Sequence, residues 1–142
     1  MILPDVNAYV YAFHTGSPFH EEAREWLERA LVGSEGVAVW DVTLVAVYRL
    51  LTNPKLESAI SEPSDVIAAL NGLRSAPSAI PIAPGERFWS IYTRFAVESD
   101  VRGELASDAM LAALALEHRC RIATTDRDFS KFKGIETVQP RP

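Results

Sequence analysis

The chain has 142 residues, 48% of them hydrophobic and 23% charged, which fits one domain around one core and excludes a disordered tail. The longest apolar run, Ala109 to Leu116, lies between Asp108 and Glu117 and falls far short of the roughly 20 residues a bilayer span needs. The opening MILPDVNAYVYAF has no Lys or Arg ahead of its apolar stretch and carries an Asp inside it, the wrong charge order for a secretory signal. A lone Cys120 excludes an internal disulfide, and His14, His20 and His118 make no zinc-like spacing with it, so the expected setting is the reducing cytoplasm with no membrane anchor. The net charge of −5 argues against a surface that attracts nucleic acid throughout. From Arg119 onward, however, six basic residues against three acids give a local excess of +3.

In chain order, Met1 to Leu3 reads as a short strand ended by Pro4 and Asp5, and Ala8 to Phe13 as a helix. After the turn Thr15-Gly16-Ser17-Pro18, His20 to Leu31 spaces Ala23, Trp26, Leu27, Ala30 and Leu31 as an amphipathic helix. Val37 to Trp40 reads as a second strand, Val42 to Leu51 as an apolar helix stopped at Asn53-Pro54, and Ser64 to Arg74 as a further helix. Ala79 to Ile82 predicts a third strand and Gly85 to Val97 a helix. Leu105 to His118 is the strongest helix signal, rich in Ala and Leu without Gly or Pro. Arg121 to Thr124 predicts a fourth strand; Lys131 to Gly134 turns the chain toward a last one near Glu136 to Gln139. Strands separated by helices need crossovers, so the expected fold is a single α/β domain over residues 1–142, a parallel sheet flanked by helices on both faces.

Ligands of open parallel sheets sit outside the carboxyl ends of the strands. Asp5 and Asp126 fall just past two such ends, and Asp108 near the start of the long helix reaches the same edge if that helix packs beside the first strand. Each acid also has an ordinary structural use. Asp5 can cap a helix, Asp108 can be a favourable first-turn anion, and Asp126 and Asp128 of TTDRDF are common turn residues. Together at one edge they repel one another and call for protons or a hard divalent cation. Oxygen ligands without His or Cys point to Mg²⁺, with Mn²⁺ as a substitute, and hence to chemistry at phosphate.

ILPDVNAYVYAF, VYRLLTNP (Val47 to Pro54), SDAMLAALALEH (Ser107 to His118) and IATTDRDFSKF (Ile122 to Phe132), in this order over nearly the whole chain, resemble a PIN domain, and more closely a VapC-type toxin of a type II toxin–antitoxin pair. The resemblance implies a Mg²⁺-dependent endoribonuclease, held inactive by a cognate VapB-type antitoxin and assembled as a homodimer. It assigns catalytic and metal-binding roles to Asp5, Asp108 and Asp126, and supporting roles to Asn7, Thr124 and Asp128. Arg127, Lys131 and Lys133 are candidate RNA phosphate contacts, with a solvated charged face as their other reading. Many PIN domains carry a Glu in the helix after the second strand; here that position is Ala46, a few residues before Arg49. Asp41 and Glu104 are the acids that can compensate, and the sequence leaves the number of metal ions and the RNA target open.

Two other readings remain. A non-catalytic PIN domain that binds RNA or a partner protein is motivated by Ala46, and a metal-dependent phosphatase by Asp5-Val6-Asn7, which approaches a DxD pattern but lacks its second acid. Neither GxGxxG nor GxxxxGK occurs, which disfavours a nucleotide-binding domain. Trp26, Trp40 and Trp89 read as core or interface anchors, the three histidines carry no catalytic assignment, and Cys120 reads as a buried inert thiol.

Overall fold

In the computed structural model, which describes residues 1–141, the chain forms β1 (Ile2–Pro4), α1 (Val6–Phe13), α2 (His20–Val32), β2 (Val37–Val39), α3 (Asp41–Leu51) and α4 (Pro63–Arg74). There follow β3 (Ala79–Pro81), α5 (Phe88–Glu98), α6 (Leu105–His118), β4 (Arg121–Ala123), a 3-10 helix (Arg127–Lys131) and β5 (Thr137–Val138). The five strands form one parallel sheet in the order β3-β2-β1-β4-β5. The chain builds outward from β1 through β2 to β3, then returns to the other side of β1 with β4. The switch in direction therefore lies between β1 and β4, where a parallel sheet opens a crevice at its carboxyl edge.

Alternation along the short strands divides the core. Val37 and Val39 face a layer made by α1 to α4, with Tyr9, Leu27, Val47, Leu51 and Val66 buried. Ala38, Leu3 and Ile122 face a layer containing α5, α6, Phe129 and Phe132. Helix α6 buries Ala109, Leu111, Ala112, Ala113, Leu114 and Ala115, so nearly its whole circumference is covered. Its alanines allow close approach to the sheet, and truncating Leu114 to Ala would cost about 2–5 kcal/mol. No helix among the described residues is long and apolar enough to cross a membrane.

Most element bounds match the sequence reading to within a residue or two. Helix α1 starts at Val6 rather than Ala8 because Asp5 is its N-cap, with Oδ1 accepting from the Ala8 N–H at 2.7 Å. Helix α5 starts at Phe88 rather than Gly85 because the Glu117 carboxylate accepts the Gly85 and Arg87 N–H groups at 2.9 and 3.0 Å, holding that segment as a loop. Trp40 is buried, but Trp89 is 68% exposed and stacks on Tyr92 with ring centroids 5.7 Å apart, so it is not a core residue. Cys120 is buried, and burial pushes its thiol pKa up, as an inert thiol requires.

Candidate metal centre

Strands β1 and β4 pair with Pro4 opposite Ala123, which brings the next residues, Asp5 and Thr124, side by side at the carboxyl edge. Asp5 is only 5% exposed and both its oxygens are used: Oδ1 receives the Ala8 N–H and Oδ2 the Thr124 hydroxyl. The Thr124 oxygen in turn accepts the Asp126 N–H at 2.9 Å, and Asp126 Oδ1 accepts the Asp128 N–H at 2.8 Å. A single relay of hydrogen bonds thus runs Asp5, Thr124, Asp126, Asp128. Asp126 caps the 3-10 helix by the last of these bonds, so its structural use and its place in the acid group coexist.

Helix α6 supplies Asp108 from its first turn. One carboxylate oxygen each from Asp108, Asp126 and Asp128 lie within 4.8 Å of one another. Asp5, Asp108 and Asp126 line a common cleft of about 230 Å³ together with Asn7 and Ala46. Asp128, a flanking residue in the sequence reading, therefore stands beside Asp108 and Asp126, and Asp5 lies deeper with its oxygens engaged. Thr43 of α3 and Ser107 of α6 also line the cleft. The sequence reading missed both, although Thr43, a polar residue in the apolar run VTLVAV, was a usable signal.

The electrostatics are those of four acids, Asp5, Asp108, Asp126 and Asp128, facing the single base Lys131. Burial pushes Asp5 up to about 6, against the pull of its Thr124 and Ala8 hydrogen bonds, and the charges of Asp126 and Asp108 add to the rise. Burial also pushes Asp108 up to about 6, with Asp126, Asp128 and Glu104 adding and Lys131 opposing. Lys131 forms an ion pair with Asp128 at 2.9 Å, the one basic side chain paired to this group among the described residues. Arg127 and Lys133 are exposed on the same segment. Carboxylate oxygens held this close, with no nitrogen or sulfur donor among them, fit a hard divalent cation.

Ala46, where the resemblance leads to the expectation of an acid, lines this cleft and presents a methyl group. Asp41 does not substitute for it. Its carboxylate receives the Arg74 guanidinium of α4 at 2.8 Å and lines a separate α3–α4 hollow. Glu104 is exposed one turn before Asp108 and reaches the group only through its charge.

A family model of the PIN domain matches residues 2–135. The chain belongs to the PIN-domain family. Among curated relatives of this PIN domain, it is 31% identical over 140 residues to Ribonuclease VapC25 of Mycobacterium tuberculosis, covering 99% of each chain. Among solved structures, the fold is similar to that of Mycobacterium tuberculosis VapC20, a Sarcin-Ricin loop cleaving toxin, with a TM-score of 0.73 at 17% identity and 100% of both chains covered. It is also similar to a toxin-antitoxin complex from Klebsiella pneumoniae, with a TM-score of 0.66 at 19% identity, covering 99% of this chain and 98% of that one. This PIN domain thus has VapC ribonucleases as its relatives and carries the acidic edge that a divalent-metal nuclease needs.

Proposed function

We propose that this PIN domain is a Mg²⁺-dependent endoribonuclease, the toxin of a type II toxin–antitoxin pair, in which Asp5, Asp108 and Asp126 hold the cation and Mn²⁺ can substitute. The observation that carries the reading is the convergence of carboxylate oxygens from Asp108, Asp126 and Asp128 within 4.8 Å, beside buried Asp5, at the β1–β4 switch point. When bound, a divalent cation supplies Lewis-acid chemistry, lowering the pKa of water and offsetting charge that develops on phosphoryl oxygens. The chain's own residues do the positioning. Thr124 fixes the Asp5 carboxylate, the Asp128 N–H fixes that of Asp126, and Asn7 presents its amide from the first turn of α1. Arg127, Lys131 and Lys133 contact RNA phosphates, Lys131 while also neutralising Asp128.

The partner of the reading is a VapB-type antitoxin. Support comes from the toxin-antitoxin complex with the same fold and from an apolar hollow of about 350 Å³ lined by Ala12, Phe13, Leu27, Leu31, Ile60 and Leu73, which suits the apolar face of an amphipathic helix. The protein works as a homodimer in the cytoplasm. Incubating antitoxin-free protein with a mixed structured RNA pool should give discrete fragments in Mg²⁺ and none in EDTA. Ala46 favours one second reading, a PIN domain that binds RNA without cutting it; saturable RNA binding with no fragments in either Mg²⁺ or Mn²⁺ would establish that instead.

A further inference from the structure

Beside the acid cleft lies a second hollow of about 220 Å³ that the metal chemistry does not use. Its walls come from four places in the chain: Tyr11 on α1, Phe19 and Glu22 at the start of α2, Thr125 and Arg127 after β4, and Gln139 and Arg141 after β5. Phe19 is 43% exposed although it is a large aromatic, and its ring rests on Tyr11 with centroids 5.5 Å apart and planes tilted by 49°. Packing on Tyr11 holds the Phe19 ring in place and leaves part of its surface free. Neither Arg127 nor Arg141 pairs with an acid among the described residues. Two arginines against the single Glu22 leave the hollow at +1 in a chain of net charge −5.

The hollow adjoins the acids by construction. Asp126 has extended backbone, φ −81° and ψ 124°, so consecutive side chains point to opposite sides. Asp126 accordingly lines the acid cleft while Thr125 and Arg127 line the hollow. On α1 the same continuity appears at helical spacing, with Asn7 lining the cleft and Tyr11, four residues on, lining the hollow. A chain of alternating phosphates and bases that runs from the acids along α1, from Asn7 to Tyr11, reaches an aromatic face flanked by guanidinium groups. Base stacking on aromatic rings with arginine contacts to phosphate is how proteins grip single-stranded nucleic acid.

We propose that this hollow is a nucleotide subsite, seating one base of single-stranded RNA on Phe19 next to the phosphate held at the acids. Arg127 and Arg141 contact the flanking phosphates and the Gln139 amide meets the base edge. The inference rests on the ribonuclease reading and adds to it the residues that choose where along the RNA the acids act.

The test is binding measured apart from cleavage: fluorescence anisotropy of a labelled single-stranded RNA of about ten nucleotides on metal-free protein. Phe19→Ala should weaken binding about tenfold, Phe19→Trp should retain it, and Arg141→Ala should reduce the salt slope by about one. In Mg²⁺ the Phe19→Ala effect should fall on KM rather than kcat. Since Phe19 keeps 43% of its surface exposed, the unfolding midpoint should stay within a few degrees of wild type, and the Trp and Arg141 variants carry the test should it not. RNA affinity and KM unchanged in Phe19→Ala and Arg141→Ala, in a protein that cuts RNA, would overturn the subsite and leave the ribonuclease standing. Phe19-dependent binding without cleavage in any metal would support the subsite and overturn the ribonuclease. Loss of co-elution with the antitoxin, with RNA affinity intact, would assign the hollow to a protein partner and overturn the proposal.

Discussion

Thr124 donates its hydroxyl to Asp5 Oδ2 while its own oxygen accepts the Asp126 N–H at 2.9 Å. One buried side chain, 1% exposed, therefore sets the carboxylate just past β1 and the backbone that carries the next acid. Thr124→Val removes both bonds inside the protein and leaves a buried charge short of a partner. Metal-free protein should lose about 1–3 kcal/mol in urea unfolding near neutral pH, and Thr124→Ser should recover most of it. Because that hydrogen bond lowers the Asp5 pKa, the Val variant should also need a higher pH for full activity.

The raised carboxyl groups fix the sign of the pH dependence. With Asp5 and Asp108 pushed from 3.8 to about 6, the folded, metal-free protein holds these protons more tightly than the unfolded chain does. Their contribution to stability is full below the unfolded value and is lost as pH rises through about 6. Thermal unfolding in EDTA should therefore show the midpoint rising as pH is lowered from neutral across this window. Cleavage should do the opposite, gaining with pH through the same range as the acids become available as ligands, and the rising limb should move to lower pH at higher Mg²⁺.

Charge removal at the same place separates stability from function. Asp108→Asn relieves repulsion by Asp126, Asp128 and Glu104. Differential scanning calorimetry in EDTA should show a midpoint a few degrees above wild type. Added Mg²⁺ should stabilise the wild type and leave this variant unmoved, because ligand-linked stabilisation requires the site.

Ala46 invites the reverse experiment. Ala46→Glu adds an acid to the cleft wall, so the divalent cation should bind about tenfold more tightly by calorimetry while the metal-free protein becomes less stable.

The fold was legible because its signals are periodic or terminal. Helix α6 runs from Leu105 to His118 as its sequence predicts: fourteen residues without Gly or Pro run unbroken, and Arg119 then ends them in the left-handed region at φ 57°. Parallel order follows from strands separated by helices, and that order alone places Asp5 and Asp126 at one edge. The 3-10 helix at Arg127–Lys131 was not legible, since one turn gives no period to detect and DRDFSK reads as a loop. That turn is what folds the Asp128 carboxylate back beside Asp108 and Asp126 and lays Lys131 on Asp128. From the sequence, Asp128 reads as a supporting neighbour of the acids and Lys131 as a candidate phosphate contact, with no sign that the two pair with each other. Whether Asp41 completes the acid group was likewise beyond the sequence, because the answer is Arg74, thirty-three positions away.

That pair gives a control. Arg74 and Asp41 are both exposed, so Arg74→Ala should cost less than about 1 kcal/mol and leave RNA cleavage unchanged.

The most direct measurement is the Mg²⁺ dependence of RNA cleavage by wild type, Asp5→Ala and Asp126→Asn, purified free of antitoxin and run beside EDTA. If the carboxyl-edge acids hold the cation for phosphodiester hydrolysis, wild type should cut with a saturable Mg²⁺ dependence and both variants should lose at least about a hundredfold in rate while remaining folded. Cleavage by wild type that persists in EDTA, or variants that cut as fast as wild type at saturating Mg²⁺, would contradict the account.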